Sequence, residues 1–342
     1  MIAHFVGSVP LAGPEAVFRT LADALGPHLR RLPDGETGRR ADWIGFVRRH
    51  LGRHPAFEKD TQAPPFRFTQ WDGRVVMEWP LLKFKDGIAR DGVTFDTGYA
   101  GDAVGSFAVF KTLHDDGVLP RHLRYQVCAA TPHAIALMYI APADRADFIR
   151  VYTRHLADEI ARIAAAVPPE RLAVQWDVCQ EVLWWEGYFP RTPDTEDEIL
   201  SSLAALAASV PDEAELGYHL CYGSPLDAPC LIPSDMGVLV AMANGVAERA
   251  RRPIDYIHLP VPQGRSDAAF FAPLAGLRLP ATTEFHLGCV LPNDADGNRA
   301  RLRQARAHVP VTGIAGECGL GRADPARLAP MLAAHRALIE SP

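Results

Sequence analysis

The stretch ELGYHLCYG, residues 215–223, is apolar at most positions and ends on a glycine. An apolar run that does not alternate marks a strand buried on both faces, as strands of parallel sheets are. Its flanks agree. DTEDEILSSLAALAASV (194–210) precedes it, helical in pattern with acidic residues in the first turn, where the helix dipole favours them. MGVLVAMANGVAERAR (236–251) follows it, again helical. Helix, strand, helix is the unit of an α/β fold.

The same unit repeats outward in both directions. Strands are expected at IAHFVG (2–7), RYQVCAA (124–130), LAVQWDV (172–178), IDYIHLPV (254–261), TTEFHLGCV (282–290) and in PVTGIAGECGLG (310–321). Helices are expected at 14–26, 143–167, 296–309 and 324–339. Seven or eight such units predict a (β/α)8 TIM barrel in a single domain, residues 1–342. A doubly wound sheet is the alternative, weakened because no G-x-G-x-x-G opens a helix after the first strand. Residues 52–98 break the rhythm with Pro, Gly and aromatics. There FRFTQWDGRVVMEWPL (66–81) predicts an inserted β-hairpin about its Asp-Gly turn, either a lid or an edge that buries Trp71 and Trp79.

Composition limits the functions to consider. Apolar residues make up 48% and charged residues 22% of the chain, and the net charge is −6 with both signs scattered. That balance speaks against nucleic acid as a partner. No apolar run reaches membrane-spanning length, and MIAHFVGSVP reads as a strand rather than a signal peptide, so a cytoplasmic protein is expected. The six cysteines do not form the pattern of a disulfide framework.

In a barrel, catalytic groups sit at the C-terminal ends of strands. Ser8, Asp34, Glu36, Asp177, Glu181, His219, Cys221, His258, Glu284, His286, Glu317 and Cys318 all fall at or just beyond such ends. His219 and Cys221 are two apart and so share one side of their strand. With Cys318, at a later strand end, they supply the nitrogen and thiolate donors zinc prefers, with a position left open. The pair alone reads equally as a core thiol beside a hydrogen-bonded histidine. Asp34 and Glu36, in LPDGETGRRADWIGF (32–46), would face the barrel mouth and favour a cationic or amine-bearing substrate; otherwise they are turn residues, with Thr37 capping a helix and Arg39 paired to a carboxylate. Trp184, Trp185 and Tyr188 would either wall a pocket or cover the barrel rim.

Five segments together resemble the catalytic barrel of cobalamin-independent methionine synthase and related zinc-dependent thiol alkyltransferases, in the wider barrel superfamily of uroporphyrinogen decarboxylase. VGSVP (6–10) is similar to the family's I-G-S-F-P, VQWDVCQE (174–181) to Q-I-D-E-P, YHLCYG (218–223) to its H-x-C strand, EFHLGCV (284–290) to D-I-H-S-P, and GECGLGR (316–322) to D-C-G-L-K-x-R. They keep the family's order from residue 6 to 322. The resemblance implies a single catalytic barrel whose Zn2+ ligands are His219, Cys221 and Cys318. It implies that Ser8 meets an amino-acid carboxylate, that Asp177 holds the substrate amino group, and that His286 protonates the leaving group. Asp34, Glu36 and Glu181 complete the expected substrate-binding set. The activity implied is methyl transfer to a zinc-activated small-molecule thiol, with a methylfolate, a corrinoid protein or a small methylated compound as donor. One departure stands out. The synthases place a glutamate ligand on the strand that here reads DYIHLPVPQGRSD (255–267), where only His258 could take its place. A metal-free lyase or decarboxylase using Asp34, Glu36 and His286, or a non-catalytic binding barrel, are the other functions this sequence admits.

Overall fold

The computed structural model describes residues 1–225 and 228–341. Its strands are β1 (Ile2–His4), β2 (Arg31–Pro33), β3 (Phe57–Lys59), β4 (Phe66–Thr69), β5 (Val75–Trp79), β6 (Leu82–Phe84), β7 (Arg124–Ala130), β8 (Leu172–Val178), β9 (Glu215–Leu220), β10 (Tyr256–Pro260), β11 (Glu284–Val290) and β12 (Gly313–Gly316). Eight of them form one sheet in the order β1-β12-β11-β10-β9-β8-β7-β2, with every ladder parallel. Its two edges meet through isolated parallel bridges, Ala3 to Leu29 and Ser8 to Gly35, and the Val9 amide donates to the Gly35 carbonyl at 2.9 Å. The sheet thereby closes into the expected barrel rather than the open doubly wound form.

Helices on the outside bury one face each, among them Arg145–Ala166, Thr195–Ala207, Gly237–Arg249, Ala295–Arg306 and Leu328–Glu340. Among the described residues no helix is long and apolar enough to cross a membrane. Two longer helices, Tyr99–Asp115 and Pro132–Tyr139, lie outside the expected set. The first carries Gly101 and Gly105 and lacks a clean apolar stripe; the second is buried along its whole length and so shows no period at all.

β4 and β5 form the expected antiparallel hairpin, turning at Gly73 with φ +80°. Below it lies a second antiparallel pair, β3 with β6. Aromatic packing docks the hairpin onto the barrel. Trp79 is buried and its indole N–H donates to the Met138 carbonyl at 2.8 Å, whereas Trp71 is exposed. Tyr188 reaches over from the loop after β8; its hydroxyl accepts from the Thr69 amide at 2.7 Å and lies 2.9 Å from the Thr69 hydroxyl. Phe189 stacks on Phe66. The aromatic run after β8 therefore anchors the hairpin, and Trp184 and Trp185 pack into the core.

The barrel interior is polar and full. His4, Gln126, Gln175, His258 and His286 are buried there. The Gln175 side-chain amide donates to the Val6 carbonyl at 2.7 Å, and its oxygen lies 3.1 Å from His4 Nε2. At the N-terminal end Arg31 crosses from β2 to pair with Glu215 on β9 and Glu284 on β11, the latter at 2.8 Å, with its guanidinium 4.1 Å above the Tyr256 ring. Although burial opposes it, the His286 hydrogen bond and the Arg31 charge hold the Glu284 carboxyl down at about 2.

Removing one partner of such a buried pair strands the other charge. Glu284→Gln is expected to cost about 3 kcal/mol at neutral pH, read by urea denaturation. A carboxylate with a lowered folded-state pKa stabilises above its unfolded value. The deficit of the variant should therefore be full above about pH 4.5 and shrink as pH falls toward about 2.

Candidate metal centre and its cavity

Parallel register places the first ligand candidate. His219 pairs with His258, and His258 with His286, across β9, β10 and β11. Barrel strands tilt against the axis, so residues paired in register step along it. His219 sits uppermost, near the C-terminal mouth. His258 follows at 4.7 Å between ring centroids, and His286 lies further inside, 4.7 Å from His4.

Cys221 continues the line of β9, and Cys318 comes over the barrel end from the loop after β12. The ligand atoms of His219, Cys221 and Cys318 all lie within 4.8 Å of one another. The two sulfurs are 3.2 Å apart, and Cys318 Sγ is 3.7 Å from His219 Nε2. In a tetrahedral zinc site with ordinary bond lengths these separations would be about 3.8 and about 3.6 Å, so small side-chain adjustments suffice. The donor set, two sulfurs and an imidazole, is one that suits zinc. Residues fixing this geometry need close approach. A Cβ on Gly319 would stand 2.2 Å from Ser8 Oγ, and one on Gly321 would stand 2.7 Å from Ser8 Cβ.

The hydrogen bond from Cys221 and the charge of Arg322, whose guanidinium donates to Cys318 Sγ at 3.3 Å, push the Cys318 thiol well below its usual range. Cys221 is raised by its hydrogen bonds to Cys179 and Cys318, and by burial. All six cysteines are free thiols, five of them buried.

These groups floor a cavity of about 370 Å3. Ser8, Glu36, Asp177 and Arg322 share the floor; Trp43, Ile44, Phe68, Met77, Trp79, Met138 and Tyr139 make an apolar roof, with the hairpin supplying three of them. Ser8 is held by the Gly321 amide, which donates to both its carbonyl (3.0 Å) and its hydroxyl (3.2 Å). Asp177 accepts from the Gln175 amide at 2.8 Å. Burial raises the Asp177 carboxyl well above its usual range, with the Glu36 charge adding to it, and burial raises Glu36 to about 7 against the opposing charges of Arg40 and Arg322. Glu36 sits at φ +49°, a conformation few side chains adopt, following Gly35 at φ +81°. Gly35 has no alternative, since a Cβ there would lie 2.6 Å from Val17.

The other expected site residues lie elsewhere. Asp34 is buried against Arg40 and accepts from the Glu36 amide at 3.0 Å, so it shapes the loop and does not line the cavity. Glu181 is buried outside the cavity near His133, where burial raises its carboxyl pKa. His286 lies inside the barrel, 3.0 Å from Glu284, and does not reach the cavity. Of the acid–base groups a metal-free lyase was expected to use, only Glu36 faces the cavity. Thr37 makes no cap bond, and Arg39 pairs with Asp102 at 2.8 Å. The hairpin supplies Trp79 to the roof, as its reading as a lid allowed, whereas Arg322, Ile44, Met138 and Tyr139 are contributors the sequence reading did not single out. Arg322 closes the very segment, GECGLGR, that was read for Cys318. The rest of the roof comes from two further segments, around Ile44 and Met138, which no local pattern marks.

No family model matches the chain, and no curated protein matches it. Among solved structures it is similar to a candidate vitamin-B12-independent methionine synthase from Listeria monocytogenes, with a TM-score of 0.59, 12% identity, and 99% of this chain and 98% of that one covered. It is similar also to a methyltransferase from Methanosarcina mazei, with a TM-score of 0.57, 12% identity, and 99% and 94% of the two chains covered. At such identities the likeness is one of fold, and it extends over the full barrel.

The hairpin's anchor can be tested alone. Tyr188→Phe removes the hydroxyl that holds Thr69 and should cost about 1 kcal/mol. Hydrogen exchange of amides in 66–79 should quicken while the barrel strands β7 and β8 keep their protection.

Proposed function

We propose that this protein is a zinc-dependent transferase that moves a methyl or other small alkyl group to a small-molecule thiol. The observation that carries the reading is the meeting of His219, Cys221 and Cys318 on a cavity floor that also holds two carboxyls with raised pKa. The likeness in fold to a candidate methionine synthase and a methyltransferase supports it.

His219, Cys221 and Cys318 would hold the metal, leaving a position open to substrate. Held there, zinc would favour the thiolate form of a substrate thiol at neutral pH. Asp177 and Glu36 hold a proton facing the cavity. Either is placed to give it to the departing nitrogen or oxygen of the alkyl donor. Ser8 offers its hydroxyl to polar groups of a substrate, and Arg322 offsets negative charge beside the sulfurs. The hairpin roof excludes water, which strengthens the electrostatic contacts beneath it. The cavity volume suits a small-molecule donor and acceptor. The free cysteines fit a reducing compartment such as the cytoplasm.

Metal analysis and a thiol alkylation assay test the reading. Purified protein should carry one zinc per chain, and Cys221→Ser or Cys318→Ser should lower both zinc content and alkyl transfer by at least tenfold. Turnover that persists undiminished in chelated protein and in Cys221→Ser would overturn it.

The pH profile tests the proton donor. With Glu36 raised to about 7, its protonated fraction falls tenfold per unit above that value. The rate of the chemical step should decline above about pH 7, and in Glu36→Gln the limb centred near pH 7 should be lost.

A further inference from the structure

His258 occupies the strand position where a fourth metal ligand would be expected, yet both its ring nitrogens are committed to the protein. Nδ1 lies 2.7 Å from His219 Nδ1, and Nε2 lies 3.1 Å from the Gly316 carbonyl oxygen. A carbonyl only accepts, so His258 Nε2 carries the proton. In a neutral ring Nδ1 is then a bare acceptor. It takes its hydrogen bond from His219 Nδ1, which must carry the proton of that ring. In a neutral His219 ring Nε2 is then left with its lone pair free, and this is the nitrogen 3.7 Å from Cys318 Sγ. With both rings neutral, the direction of the two bonds of His258 follows from the fixed acceptor at Gly316.

We infer that His258 is not a metal ligand but a positioning residue, a two-ended clamp that fixes the tautomer of His219 and ties it to the backbone leading to Cys318. Gly316 lies two residues before Cys318, so one imidazole spans the two strands that deliver the candidate ligands. The space for it is built in. A Cβ on Gly288 would stand 2.6 Å from His258 Nε2, so the neighbouring strand leaves out a side chain where the ring sits. A carboxylate at this position could ligate metal directly; an imidazole so bonded cannot, and it acts through His219 instead. The metal half of this inference rests on the proposed zinc site; the tautomer half does not.

The experiment has two arms. In the first, 15N-histidine-labelled, metal-free protein is studied by long-range 1H–15N NMR. The expected result is His219 protonated on Nδ1 and His258 on Nε2; the opposite tautomer in either ring would overturn the inference whether or not the protein binds zinc. In the second, Zn2+ affinity is measured by competition with a chromophoric chelator. His258→Ala should weaken binding by about 10- to 100-fold. His258→Asn, whose side-chain oxygen can accept from His219 Nδ1, should recover most of that loss. The Co2+-substituted forms of wild type and His258→Asn should share their visible bands, since the ligand set is unchanged. Unaltered affinity in His258→Ala, or altered cobalt bands in a folded His258→Asn, would overturn the clamp. Absence of zinc binding in the wild type with the expected tautomers intact would count against the proposed function alone.

Discussion

Ser8 is the point on which the arrangement depends. The ladder between β1 and β12 is regular, but between β1 and β2 only isolated bridges close the barrel, and one of them is Ser8 to Gly35. On its other side the same residue accepts the Gly321 amide twice over. One serine therefore sets the distance between the loop that carries Glu36 and the loop that carries Cys318 and Arg322. It can do so only because Gly319 and Gly321 have no side chains to hold it away. VGSVP and GECGLGR, some three hundred residues apart in the chain, are neighbours across this seam.

Two kinds of buried charge follow from that closure. At the N-terminal end Arg31 and its carboxylates satisfy one another, and Glu284 stays ionised far below its ordinary range. At the mouth, Asp177 and Glu36 share a pocket with sulfurs and with each other, and both are pushed toward the protonated form. Guanidiniums act at both ends; Glu284 is hydrogen-bonded to Arg31 and His286, whereas at the mouth burial outweighs the charges of Arg40 and Arg322. Asp34 shows the rule within a single loop. It is paired with Arg40 and supports structure, while Glu36, two residues on, turns into the cavity.

Much of this was legible in the sequence where a single element carried the signal. The bounds of β7 and β8 follow from their apolar runs to the residue, and the Asp-Gly turn marks the hairpin. β2 was not legible, because three residues containing an arginine and a proline, RLP, carry no strand pattern; the barrel ladder to β7 alone defines them. His219, Cys221 and Cys318 were readable as donors at strand ends. His258 and His286 have the same local look as His219, apolar strand with one histidine, and only the tilt of the strands separates a residue at the mouth from one inside. Asp34 and Glu36 likewise look equivalent until the backbone turns between them.

The filled interior has a kinetic consequence. Below the sulfurs the barrel is packed with His4, Gln126, Gln175, His258 and His286 and bolted by Arg31, so the cavity has no way through the barrel among the described residues. A blind-ended well with two guests imposes a queue. In the proposed reaction the molecule against Cys221 and Cys318 would arrive first and depart last, sealed in from above by its partner. For the proposed two-substrate reaction, turnover in such a well would follow an ordered sequence, with the residence time of the upper molecule setting how fast the lower one can leave.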